Sequence, residues 1–397
     1  MKSNLKAKYA AGLVLIALAF CLTSCSRLEF GALNNGKEDA GQIVFTAQSI
    51  PTTLHFMAVG DNLLHGSVYR SAQTADGGFD FSRVYKDIIP YSMQADLAFV
   101  NQETPLGGTQ LGLSSYPRFN SPQEVGDYLT SIGFNLISHA NNHILDKGEE
   151  GMVNTLEYWQ EKNDVAVAGA YLNEEAASHI PMLEIDGVKI AFLAYTYGSN
   201  GLFLPSNSSM SVAYIDRDKI KEDVLRAKKD ADIVIVSMHW GAEYQTEPTQ
   251  EQKDLAQFLA GLGVDIVVGT HPHVIQPVEF IPSGDGGQTL VIYSLGNFVS
   301  SQQKAATMLG GMVTAELKIN AETKEVSIEQ VRFIPLVTQY GASSGNVHVV
   351  PWNLYTRQMS KAHGILAYDN QFSYDYLQNL ATRTISGEFL DLTTKVQ

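Results

Sequence analysis

From Leu54 onward, short apolar runs alternate with amphipathic stretches, a pattern that predicts an α/β fold. Leu54–Val59, Leu97–Val100, Phe134–Ser138, Val165–Ala168, Val188–Ala194, Ile233–Met238, Ile266–Val268 and Leu290–Tyr293 read as buried strands. Helices are predicted between them. Ser121-Pro122-Gln123-Glu124 offers a hydroxyl cap, a proline at the first helical position and a glutamate two residues on, a capping-box pattern. Val125, Leu129 and Ile132 follow as the apolar stripe, and Gly133 ends it. Thr249-Gln250-Glu251-Gln252 repeats the device ahead of Leu255, Phe258, Leu259 and Leu262, and a third helix is expected over Glu149–Lys162 with Met152, Leu156 and Trp159 inward. Past Gly310, Val313–Ile319 and Val326–Val337 alternate as strands that extend a sheet, with Asn320–Lys324 as their turn. Residues 341–397 mix polar and aromatic positions without a clear period, and no element is assigned there.

The first residues follow a different rule. Lys2, Lys6 and Lys8 precede an apolar run, Ala10 to Phe20, and then Leu22-Thr23-Ser24-Cys25. A basic head, a short apolar core and small residues read as a secretory signal over 1–24. The run is too short to span a bilayer comfortably, which takes about 20 residues. Leu-Thr-Ser-Cys resembles the bacterial lipobox, which implies cleavage before Cys25, acylation of its sulfur and an extracytoplasmic body anchored to the membrane. Residues 25–51, rich in Gly, Asn, Glu and Gln, read as a tether. The net charge of −15 argues against binding nucleic acid. The two cysteines, both within the first 25 residues, exclude a disulfide scaffold or a thiolate zinc site in the body.

Placement of the polar residues carries the functional reading. Strand after strand ends in groups that bind metal or move protons. Val59-Gly60 leads into Asp61, with His65 four residues later, and Val100 leads into Asn101-Gln102-Glu103. Ser138 runs into His139-Ala140-Asn141-Asn142-His143 and Asp146, Met238 into His239, and Thr270 into His271-Pro272-His273. Ligands of α/β sheets gather beyond the carboxyl ends of strands. Mixed imidazole and carboxylate donors suit Zn, Fe or Mn, whereas an all-oxygen set would suit Mg or Ca. His271 and His273 reach one site only if the chain bends between them, and Gly269 and Pro272 predict that bend. His139 reads as a core histidine rather than part of the site, and His55, His179, His348 and His363 as surface or packed residues.

At these residues the chain resembles the CapA-type poly-γ-glutamate capsule biosynthesis family, a branch of the calcineurin-like metallophosphoesterases. Val59-Gly60-Asp61, Asn101-Gln102-Glu103-Thr104, Ala140-Asn141-Asn142-His143 with Asp146 and Gly148, and Tyr195 through Asn200 carry the resemblance. His239-Trp240-Gly241, His271-Pro272-His273 and Ser294 through Phe298 complete it, from about Thr53 to Ser300. It implies a four-layer α/β/β/α sandwich over residues 52–340 with two divalent metals (Mn, Zn or Fe) at one rim. It further implies Asp61, bridging Glu103, the Asn142 amide, His239, His271 and His273 as ligands, and His143 as general acid. Two motifs depart from the wider superfamily. Leu63 stands where Asp-x-His would place its histidine, leaving His65 as a substitute ligand or a rim residue, and Asn101-x-Glu103 replaces Gly-Asp-x-x-Asp. Asn101, Tyr197, Asn200, Asn297 and Arg118 are candidates for contacting an anionic polymer or phosphoester. Two functions follow: a lipid-anchored hydrolase serving capsule synthesis or export beside capsule-synthesis membrane proteins, or a non-catalytic polymer-assembly protein whose metal site is structural or vestigial.

Overall fold

The computed structural model describes residues 51–393. The expected signal peptide, Cys25 and nearly all of the tether lie outside the described residues. Two sheets form the body. The first runs, in order, His348–Pro351, Val326–Gln339, Leu309–Ile319, Thr52–Asn62, Leu97–Gln102, Leu136–Ser138 and Ala166–Ala168, with Asn297–Val299 also pairing Thr52–Asn62. The second runs Val278–Pro282, Gln288–Ile292, Ile266–Thr270, Ile233–His239, Val188–Thr196 and Met182–Ile185. Thr52–Asn62, Leu97–Gln102, Leu136–Ser138 and Ala166–Ala168 run parallel in the first sheet, as do Gln288–Ile292, Ile266–Thr270, Ile233–His239 and Val188–Thr196 in the second. Strands of that kind are covered on both faces, which is why Ile233–His239 is buried at every position.

Alternation along the strands sorts the layers. Phe99 of the first sheet meets Phe192 of the second with ring centroids 5.9 Å apart. Ile190, Ile235, Val268 and Ile292 join that shared core, whereas Ala191, Val234, Val236, Val267 and Val291 face the helices Arg217–Asp230 and Gln250–Gly261. Glu124–Ser131, Gly148–Gln160 and Tyr374–Thr384 add apolar residues to the core around the first sheet. The result is the α/β/β/α arrangement that the sequence resemblance implies. Among the described residues no helix is long and apolar enough to cross a membrane.

The capping box at Thr249 forms in full, its hydroxyl accepting from the Gln252 amide and the Gln252 side chain accepting from the Thr249 amide. The one predicted at Ser121 does not. The helix begins at Glu124 without a side-chain cap, and the Ser121 hydroxyl donates to Thr104 Oγ1 instead. Residues 341–393 supply an edge strand, the short helix Arg357–Lys361 and the helix Tyr374–Thr384, with Leu377, Leu380 and Ala381 in the main core.

His139 is fully buried, and its Nε2 accepts the Trp159 indole N–H at 2.6 Å. Burial pushes its pKa down to about 3. The unfolded chain therefore binds a proton that the native state refuses between pH 6.5 and 3, so stability present at neutral pH is lost as pH falls through that window. His139→Gln, which keeps an acceptor for the indole but cannot ionise, should lose about 1.4 kcal/mol less per pH unit below 6.5 in urea melts at stepped pH. Parallel slopes for the two proteins would contradict this assignment.

Candidate metal centre

Every expected ligand sits at or just beyond the carboxyl end of a parallel strand. Asp61 pairs in register with Asn101, and His239 with Thr270, so strand pairing alone brings neighbouring motifs level. Asp61, Glu103, Asn142 and His143 come from the first sheet, His239, His271 and His273 from the second. Two close approaches permit this. A Cβ on Gly60 would stand 1.8 Å from the Gly296 carbonyl oxygen, and one on Gly269 would stand 2.0 Å from that of Tyr293. The bend between the histidines is made at the histidines themselves, with φ of +97° at His271 and +58° at His273, so the backbone is strained where function is expected.

The donors converge. Asp61 Oδ2 lies 3.1 Å from His273 Nδ1, and His273 Nε2 lies 3.7 Å from Glu103 Oε1. Glu103 Oε1 is also 3.9 Å from His239 Nε2, which is 3.0 Å from Asn142 Oδ1. The His271 ring packs against that of His239, centroids 4.8 Å apart. Atoms that share one ion at about 2.0–2.2 Å are separated by about such distances. Asp61, Glu103 and His273 form a trio whose donor atoms all fall within 4.8 Å of one another.

Both Glu103 oxygens are buried without a hydrogen-bond partner, as is His271 Nδ1. A buried carboxylate in that condition carries a large desolvation cost that a cation removes. Burial and then the Asp61 charge hold the Glu103 pKa well above the usual carboxylate range. Burial alone would lower His273, but Glu103 and Asp61 reverse this and lift it to about 9, while burial and His273 press His271 down to about 3. The donor set fits a divalent ion, and binding one would release protons from this cluster.

Other side chains fix the donors. Asn101, a substrate-facing candidate by sequence, is fully buried and donates from Nδ2 to Asp61 Oδ1 at 2.8 Å. Asn297 is likewise buried, its Oδ1 3.1 Å from His273 Nδ1. Both are turned inward onto candidate ligands, Asn101 onto Asp61 and Asn297 onto His273. Asn200 Oδ1 accepts from Asn142 Nδ2 at 3.2 Å, which turns the Asn142 oxygen toward His239. The Tyr197 ring lies tilted against that of His271, centroids 4.5 Å apart, and at 48% exposure it forms part of the rim. Arg118 is exposed on the loop whose Phe119 packs edge-on against His143. His65 Nδ1 receives the Ser301 amide at 3.3 Å and its ring meets Phe119, so it stands beside the trio rather than in it.

Two residues take roles that the sequence alone did not assign, Asp146, named there only as part of a motif, and Glu243, which was not singled out. Asp146 Oδ2 lies 2.8 Å from His143 Nδ1 and also accepts the Phe119 amide, so it fixes which ring nitrogen of His143 is free. Glu243 acts on Glu103, His273 and Tyr197 from the loop after His239. A carboxylate four residues past a strand-end histidine was its one signal.

Residues 55–302 match the family described as bacterial capsule synthesis protein PGA_cap, and the chain belongs to that family. It is 36% identical over 192 residues to the PGA biosynthesis protein CapA of Bacillus subtilis (strain 168), covering 48% of this chain and 49% of that protein. The chain thus spans about half the length of that relative. It is 27% identical over 288 residues to the capsule biosynthesis protein CapA of Bacillus anthracis, covering 70% of this chain and 67% of that one. Among solved structures, the calcineurin-like phosphoesterase YfkN from Bacillus subtilis aligns with a TM-score of 0.40 at 13% identity, over 83% of this chain and 99% of that one.

Proposed function

We propose that this member of the capsule synthesis family is a divalent-metal-dependent, phosphoesterase-like hydrolase serving synthesis or export of an anionic capsule polymer such as poly-γ-glutamate. It would work outside the cytoplasm, held to the membrane through lipidated Cys25 beside capsule-synthesis membrane proteins. The observation that carries the catalytic reading is Glu103, a buried carboxylate without a hydrogen-bond partner between His239 and His273.

Asp61, Glu103, Asn142, His239, His271 and His273 would hold two ions, with Mn, Zn or Fe suited to their mixed donors. Such ions supply Lewis acidity, polarising an ester oxygen and easing the ionisation of water near neutral pH. The rest falls to side chains. Asp146 holds the Nδ1 proton of His143, which leaves Nε2 to carry a proton to the leaving oxygen. Tyr197 and Tyr244 wall the rim and limit water around the reacting group.

Purified protein supplied with Mn or Zn should cleave a generic phosphoester, and Asn142→Ala or His271→Ala should remove that turnover. Unchanged turnover in either variant rules out the mechanism. Leu63 at the usual histidine position favours a second reading, a structural metal site in a polymer-assembly protein. Full capsule production by cells carrying His239→Ala, His271→Ala in a stable, metal-free protein would favour the assembly role.

A further inference from the structure

A cavity of about 290 Å³ beside His65 has no part in the metal centre described above. Arg70, Ser67, Ser115, Ser301, Gln303 and His65 line it. They come from separate stretches of chain, so the polar lining is not simply one solvated face. Gly66 and Arg70 share a face of the helix Gly66–Ala72. A Cβ on Gly66 would stand 2.6 Å from Arg70 Nη1, so glycine there lets the guanidinium fold back against the cavity wall. Among the described residues no carboxylate pairs with that guanidinium, in a chain whose net charge is −15.

The hydroxyls are set to donate. Ser115 Oγ accepts from the Gly66 amide at 3.0 Å, and Ser301 Oγ accepts from Ser67 Oγ at 2.6 Å. Each therefore keeps its own proton for a ligand. A guanidinium fork with two hydroxyl donors and no acidic neighbour suits an oxyanion, and its single charge matches a carboxylate. The cavity also borders the site. The Phe119 ring packs edge-on against His65 at 5.2 Å and against His143 at 4.8 Å. Parallel pairing sets Asp61 level with Asn297, and four residues further on, past the strand ends, the chain reaches His65 and Ser301 respectively.

We infer that this cavity is a carboxylate subsite, holding an anionic group of the substrate next to the one that reacts at the metal centre. The inference rests on the hydrolase reading only for the neighbouring reaction, since binding requires no turnover.

The test is calorimetric titration of the full-length protein with glutarate, its neutral diamide and inorganic phosphate, with metal content measured in parallel. Glutarate should bind and the diamide should not. Arg70→Ala should weaken glutarate at least tenfold without changing metal content. Gly66→Ala, which keeps the charge but displaces the guanidinium, should do the same, while Arg383→Ala on a remote helix should have no effect. Equal affinity for glutarate and the diamide, or glutarate binding indifferent to Arg70→Ala, overturns the inference. So does Arg70-dependent binding of phosphate alone. If the protein holds no metal and turns over no ester yet still binds glutarate through Arg70, the hydrolase reading fails and the subsite stands.

Discussion

Replacing Glu103 with Gln should stabilise the metal-free protein and abolish its stabilisation by divalent cations. Glu103 is buried against Asp61 with neither oxygen satisfied, and its pKa is raised on folding. An acid whose pKa rises on folding makes the native state bind more protons than the unfolded one, so its penalty is absent at low pH and grows as pH climbs past the ordinary value of 4.5. Glu103→Gln removes that penalty. Its gain should be on the order of 1–3 kcal/mol at neutral pH, about 1.4 kcal/mol for each pH unit above 4.5 over which the buried acid keeps its proton, and should vanish near pH 4. Wild-type protein at a hundredfold excess of cation over its dissociation constant should gain about 2.7 kcal/mol, and the variant nothing. Calorimetric melts with and without Mn or Zn, at neutral and acid pH, read both effects. A variant less stable than wild type without metal, or still stabilised by metal, contradicts the role given to Glu103.

The second large effect concerns His143. His143→Ala should lower kcat by about 10²–10⁴ while leaving metal content intact. The loss should be greatest for esters with alkyl leaving groups, which need a proton, and should shrink for nitrophenyl esters, which leave as stable anions. Asp146→Asn should fall between, because it disturbs the tautomer of His143 without removing the ring. Equal losses for both kinds of ester would mean that His143 positions groups and does not donate a proton.

The sheet strands and the strand-end positions of six candidate ligands were legible because both rest on local chemistry. Buried parallel strands are apolar throughout, and a polar residue that ends one is conspicuous, as Asp61, His239 and His271 are. What the sequence concealed depends on contacts between distant segments. Ser121 has the spacing of a cap, but Thr104 takes its hydroxyl and the helix starts later. Asn101 and Asn297 look like pocket residues by position, yet each faces inward, onto Asp61 and His273 respectively. Glu243 has no motif, since only the path of its loop brings it back to the histidines. Residues 341–393 lack a period because their pieces are short and each packs by its own contact, as His363 does between Tyr340 and Phe372.

Crystals grown with manganese and measured at its absorption edge would put the reading of this rim to its most direct test. The account predicts two anomalous peaks flanking the Glu103 carboxylate, one toward Asp61 and His273, the other toward Asn142 and His239. A map without signal there, or with its peaks bound only at the protein surface, would contradict it.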